Sequence, residues 1–241
     1  MRESEVYPDA ASLAQAAAKQ FTVLAAQAID ERGCFFVALA GGSTPRATYA
    51  LLATRTYVAR VHWPKVHVFW GDERCVPPDH PDSNYKMAHE ALLDKAKLPP
   101  GNVHRIRGEL PPEQATLAYR EELEAALGTG GRLDLILLGM GADGHTASLF
   151  PGSPAVEEQE QMVVAAYVER LHAWRVTLTL PAINAARHVV FLVSGDTKAP
   201  ALARVRAGES LPAALVRPSP GQLTWMVDQD VARSLSQERE G

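Results

Sequence analysis

The chain has 241 residues, of which 46% are hydrophobic and 22% charged, with a formal net charge of −4. That composition supports an ordinary globular core without staples. The negative balance excludes general attraction to nucleic acid or to an anionic membrane, so any positive field for an anionic ligand must be local.

Two cysteines, Cys34 and Cys75, have neither CxxC nor metal-ligand spacing. They point to a reducing cytosol and to two buried thiols. The opening residues MRESEVYPDA lack the apolar region of a signal peptide. No apolar run reaches the ~18 residues needed to span a bilayer. There is no internal repeat and no Pro/Gly-rich linker, so residues 1–241 read as a single domain. Nothing in the sequence sets an oligomeric state.

Asp9 to Arg32 predicts a long helix. Asp9 is the N-cap, Leu13, Ala17, Phe21, Leu24 and Ala28 share one face, and Gly33 ends it. Cys34 to Ala40 is a buried strand that runs into Gly41-Gly42-Ser43-Thr44-Pro45. Thr44 as N-cap and Pro45 at the first helical position start a helix through Leu52. Val66 to Trp70 is the next strand, with Gly71-Asp72-Glu73-Arg74 at its carboxyl end. A proline-rich loop, Pro77 to Pro81, precedes a helix over about Ser83 to Asp94. Val103 to Arg107 suggests a short strand, and Pro112 opens a helix with Ala115, Tyr119, Leu123 and Ala126 on one face.

Leu133 to Leu138 is continuously apolar, as in a strand buried on both faces of a parallel sheet. It breaks into Gly139-Met140-Gly141-Ala142-Asp143-Gly144, then a short helical segment that opens with His145 and stops at Pro151. Met162 to Ala165 and Trp174 to Leu180 are further strand candidates. His188 to Val193 is a buried strand, followed by Ser194-Gly195-Asp196-Thr197-Lys198 and a helix to about Ala207. A short helix over Leu211 to Val216, a strand over Leu223 to Val227 and a helical end over Val231 to Gln237 complete the chain. Repeated alternation of strand and helix means an α/β fold: a Rossmann-like, mostly parallel sheet with helices on both faces.

Four strand-to-helix turns carry the unusual residues. They lie along one edge of such a sheet, where ligands bind beyond the carboxyl ends of the strands. The Gly41 to Pro45 turn offers free N–H groups and two hydroxyls to a phosphate, or is an ordinary tight turn. Lys198 in the first turn of a helix opposes the dipole at ~0.3–1 kcal/mol, a placement that an anion would reverse. Arg74 either binds substrate or pairs with Asp72 and Glu73; Asp72 is itself a candidate base.

Gly139-x-Gly141-x-x-Gly144 matches a dinucleotide fingerprint only in its glycines. The acidic partner about 20 residues on is missing, because Glu157, Glu158 and Glu160 precede the next strand. The histidines form no metal-ligand pattern and no G-x-S-x-G elbow is present. Acid–base chemistry at His145 is therefore the expectation.

LAGGSTPRATYALLA, VHVFWGDERCVPPDHPDSNYKMAHEALL, LDLILLGMGADGHTASLFPGSPA and RVTLTLPAINAARHVVFLVSGDTKA together resemble the 6-phosphogluconolactonase family. The resemblance spans about Leu39 to Ala199. It implies a Rossmann-like fold shared with glucosamine-6-phosphate deaminase, and hydrolysis of 6-phospho-D-glucono-1,5-lactone without metal or organic cofactor. It assigns catalysis to His145 in DGHTASLFP and substrate binding to Arg74. It gives phosphate binding to Gly41, Gly42, Ser43 and Thr44, with Lys198 and Arg175 as further phosphate candidates. Asp143 either orients the imidazole or caps the short helix. The deaminase alternative expects a carboxylate shortly after the histidine, and Thr146 to Pro151 contains none. A non-catalytic sugar-phosphate sensor would carry a DNA-binding module, and no basic helix-turn-helix is visible.

Overall fold

The computed structural model describes residues 4–128 and 130–237. In chain order the elements are β1 (Glu5–Tyr7), α1 (Ala10–Arg32), β2 (Phe35–Leu39), α2 (Ser43–Leu52), α3 (Arg55–Val58), β3 (Val66–Trp70), β4 (Asp72–Arg74), α4 (Asn84–Ala88), α5 (Asp94–Ala96) and α6 (Pro112–Leu127). Then follow β5 (Leu135–Leu138), α7 (Pro154–Glu157), β6 (Val163–Val168), β7 (Ala173–Leu178), α8 (Leu180–Asn184), β8 (His188–Val193), α9 (Ala199–Arg206), β9 (Gln222–Asp228) and α10 (Gln229–Gln237).

Six strands form a sheet in the order β1-β9-β8-β5-β2-β3, every pair parallel. All four residues of β5 are buried, as its unbroken apolar run requires of a central strand. α1 begins where the Asp9 carboxylate accepts the Ser12 N–H at 2.7 Å and ends where Gly33 turns left-handed at φ 81°. It packs on α2 and against β1, β2 and β9. No helix among the described residues is long and apolar enough to cross a membrane.

A second sheet, β4-β7-β6, is antiparallel and was not expected from the alternation of elements. The Gly71 to Arg74 segment does not turn into a helix. Past Gly71 it continues as β4 and pairs with β7, placing Asp72 opposite Thr177 and Arg74 opposite Arg175. β1 is also additional. Val103 to Arg107 makes only an isolated bridge, Val103 to Val68. The helix expected over Ser83 to Asp94 is broken by a π turn over His89–Leu93. Both cysteines are free and only partly buried.

Chain order fixes the place of the site. From β2 the chain moves outward to β3, then returns to the other side of β2 as β5 and proceeds to β8 and β9. The carboxyl ends of β2 and β5 therefore flank the point where the winding reverses, which opens a crevice in such sheets.

Candidate active site

A cleft of about 260 Å³ occupies this crevice. β2 delivers Gly41 to Thr44, β3 and β4 deliver Asp72 and Arg74, β5 delivers Gly139 to Gly141 and His145, and β8 delivers Ser194 and Lys198. Four segments distant in sequence thus line one space.

Two buried tyrosines set the strand ends beside the cleft. The Tyr49 hydroxyl donates to the Ala40 carbonyl and accepts the Ala40 N–H, both at 2.9 Å. The Tyr119 hydroxyl does the same for Trp70, at 2.7 and 2.9 Å. At each strand end one side chain satisfies both the N–H and the C=O of a single residue.

The helix after β2 starts earlier than expected. Gly42, not Thr44, is the N-cap, with φ 102° and ψ 167°, a conformation open to glycine alone. Ser43 and Thr44 fall in the first turn, where N–H groups have no intrahelical partner. Pro45 is tolerated there because its missing N–H would be unused.

Asp72 is buried, and its carboxylate accepts Ser148 Oγ at 2.6 Å and Asn84 Nδ2 at 3.3 Å. Asn84 also donates to the Asp72 carbonyl at 2.9 Å and lines the cleft. Glu73 points away into a cage of donors: the N–H groups of Arg74, Asn84 and Tyr85 and the Ser83 hydroxyl. Arg74 pairs with neither carboxylate; it donates to the Asp82 carbonyl. Arg175 lies opposite Arg74 in the register but outside the cleft lining. Burial and the Arg74 charge both press its guanidinium below the ordinary value.

No helix opens at His145. Thr146 bridges back to Leu149, Ala147 is left-handed at φ 48°, and the Thr146 hydroxyl donates to the Gly139 carbonyl at 2.8 Å. A residue at positive φ cannot continue a right-handed helix. Asp143 therefore caps nothing there. Its Oδ1 stands 2.5 Å from Nδ1 of His145 and 3.2 Å from the His145 backbone nitrogen. Burial raises the Asp143 carboxyl, but the imidazole hydrogen bond, its charge and that of Arg170 outweigh it and hold the group below the usual carboxylate range. The contact leaves Nε2 as the other ring nitrogen, on a side chain that lines the cleft. Asp143 itself does not line the cleft.

The turn is also less rich in free donors than its glycines suggest. The N–H groups of Gly141, Gly144, His145 and Thr146 are already bonded within the segment. On the β8 side, the buried Asp228 carboxylate accepts Ser194 Oγ at 2.5 Å and the Gly195 N–H at 3.1 Å, fixing the turn that carries Lys198. Lys198 is half-buried, closes a 3₁₀ turn and caps α9.

Sequence reasoning thus singled out eight cleft-lining residues: Gly41, Gly42, Ser43, Thr44, Asp72, Arg74, His145 and Lys198. It missed Asn84, whose only signal is its place after the Ser83 cap inside a family-like segment. It also missed Arg170, whose Nη1 lies 2.9 Å from Asp143 Oδ2.

Residues 8–225 match the family model described as glucosamine-6-phosphate isomerases/6-phosphogluconolactonase. A 6-phosphogluconolactonase of Synechocystis sp. is 42% identical over 218 residues, covering 87% of this chain and 88% of the relative. One of Haemophilus influenzae is 37% identical over 203 residues, covering 83% and 87%. The crystal structure of the 6-phosphogluconolactonase from Thermotoga maritima superposes with a TM-score of 0.83 at 32% identity, covering 93% of this chain and 98% of that one. With its fold, its cleft and these relatives in agreement, the chain belongs to the glucosamine-6-phosphate isomerase/6-phosphogluconolactonase family.

Proposed function

We propose that this protein hydrolyses 6-phospho-D-glucono-1,5-lactone to 6-phosphogluconate, the lactonase step of the oxidative pentose phosphate pathway. The relatives carry the choice of reaction, since those sharing up to 42% identity are 6-phosphogluconolactonases. The observation that carries the mechanism is the 2.5 Å contact between Asp143 Oδ1 and His145 Nδ1 at a cleft that Arg74 and Lys198 also line.

Asp143 accepts the proton on Nδ1 and so leaves a lone pair on Nε2. His145 takes a proton from water as the water oxygen bonds to the lactone carbonyl carbon. The carbonyl electron pair moves onto its oxygen, and Arg74 offsets that charge. Arg74 is favoured for this task because so many N–H groups of the Gly141 to Thr146 turn are engaged internally. When the carbonyl re-forms, the bond to the ring oxygen breaks and His145 returns its proton there. The product acid then ionises in solution.

The phosphate is held away from the reacting bond by the first turn of α2 and by Lys198. Arg175 acts on it only at longer range, from beside Arg74. Asp72, a buried carboxylate, cannot favour a phosphate and instead accepts a sugar hydroxyl. The buried Ser148 hydroxyl, bonded to Asp72, stands in the segment where a deaminase would place its carboxylate. The chemistry needs no metal and no organic cofactor. The two sheets both contribute to the cleft, which supports reading the chain as one domain, and the free thiols suit a reducing cytosol.

The test is product formation. The purified protein should release 6-phosphogluconate from the lactone faster than the spontaneous rate and release no ammonia from glucosamine 6-phosphate. Ammonia release without lactone hydrolysis would reverse the assignment.

A further inference from the structure

Arg170 stands in the short turn Glu169–Leu171 between β6 and β7, held by the His172 N–H to the Glu169 carbonyl at 3.1 Å. From this second sheet its side chain reaches the β5 turn. Nη1 lies 2.9 Å from Oδ2 of Asp143, the carboxylate oxygen that His145 does not use. The guanidinium carbon sits 4.7 Å from the centroid of the Phe150 ring, and that ring stacks 4.3 Å from the His145 imidazole. Asp143, His145, Phe150 and Arg170 therefore close a circuit of four contacts.

We propose that Arg170 is a positioning residue for the hydrolysis, holding the Asp143 carboxylate so that His145 keeps Nε2 turned to the cleft. The proposal rests on the reading of His145 as the base and goes beyond it. Arg170 does not line the cleft and acts only through Asp143 and Phe150.

The physical reason lies in the freedom of Asp143. A carboxylate held at one oxygen still swings about its Cβ–Cγ bond. Held at both, it has a fixed plane, and so has the imidazole it binds. The backbone steadies only the oxygen that the imidazole also uses, since the His145 N–H reaches Oδ1 at 3.2 Å. A catalytic hydrogen bond must be oriented before the reaction for its full effect. The Arg170 side chain is 54% exposed, so solvent screens its ion pair and the fold scarcely depends on it. Its influence belongs in turnover.

The experiment is a double-mutant cycle on the full chain, with kcat and KM measured for the phosphorylated lactone. Arg170→Ala should lower kcat about three- to fivefold, with KM changed less than about twofold. In the Asp143→Asn background the same change should cost less than about 1.5-fold. Arg170→Met keeps a stem on Phe150 without the charge and should lose as much kcat as alanine; Arg170→Lys should recover more than half.

Equal losses in both backgrounds would overturn the proposal, as would wild-type kcat in both the alanine and the methionine variants. Wild-type kcat in Asp143→Asn alone would remove the carboxylate from the mechanism and Arg170 with it. The base assignment is read separately, from His145→Ala.

Discussion

A β-carbon placed on Gly141 would lie 2.0 Å from Nδ1 of His145 and 2.6 Å from Oδ1 of Asp143. The imidazole packs directly over the backbone of the residue four positions before it, and the Gly141 N–H donates to the His145 carbonyl at 2.9 Å. Gly141→Ala must therefore push the ring off its carboxylate. Misplacement of about 1 Å costs on the order of 10²-fold in turnover. We expect kcat to fall by about that factor while the melting temperature shifts by only a few degrees, as steady-state kinetics and calorimetry on the variant would show.

Lys198 is expected to act on binding. A charged hydrogen bond to a phosphate contributes about 1.5–3 kcal/mol, or roughly 10- to 100-fold in affinity. Lys198→Ala should raise KM for the phosphorylated lactone by about that factor and leave kcat within a few-fold. Hydrolysis of unphosphorylated gluconolactone should be unchanged. A loss on both substrates alike would place Lys198 in the chemistry instead.

The tyrosine hydroxyls make a stability prediction. Tyr119→Phe removes the only donor and acceptor that the Tyr119 side chain offers to Trp70, leaving a buried N–H and C=O at the end of β3 without it. An orphaned buried polar group costs about 1–3 kcal/mol. Urea unfolding should report a loss in that range, and Tyr49→Phe a similar one at the end of β2. A change under about 0.5 kcal/mol in both would mean that these backbone groups find other partners.

A pH effect follows from His67 on β3. Burial, then the neighbouring His104 ring at 3.1 Å, pushes its imidazole below the ordinary histidine value. As pH falls below about 6.5 the unfolded chain takes up this proton first, so stability present above that pH is lost as pH falls through the lower folded value. Partly buried His188 acts in the same direction. A titration of the His67 ring by NMR should show a midpoint below about 6.5, with urea stability declining from about pH 7 toward pH 5. A midpoint above the ordinary value would contradict this.

Much of the fold and the cleft is legible in the sequence, for identifiable reasons. Leu133 to Leu138 is apolar without a break because both faces of β5 are covered, and Gly41-Gly42-Ser43-Thr44 advertises a turn into a helix. His145 is marked by the glycines that let it approach the backbone. The antiparallel sheet is hidden because β4 is only Asp72-Glu73-Arg74, three charged residues that look like a turn until Val176 and its neighbours pair with them. Ala147 gives no sign of its positive φ, so a helix is expected where the chain doubles back. Tyr119 reads as part of the apolar face of its helix; only tertiary packing shows which backbone groups its hydroxyl and that of Tyr49 meet. Arg170 sits in a surface turn with no period or spacing to mark it, and its partner Asp143 is 27 positions away in the chain.

Activation of water by His145 is read by comparing wild type with His145→Ala in hydrolysis of 6-phosphogluconolactone at mildly acidic pH, where the uncatalysed reaction is slow. With binding of 6-phosphogluconate followed alongside, the variant should lose at least about 10²-fold in kcat and retain affinity for the product within a few-fold. A kcat equal to that of the wild type would remove His145 from the chemistry.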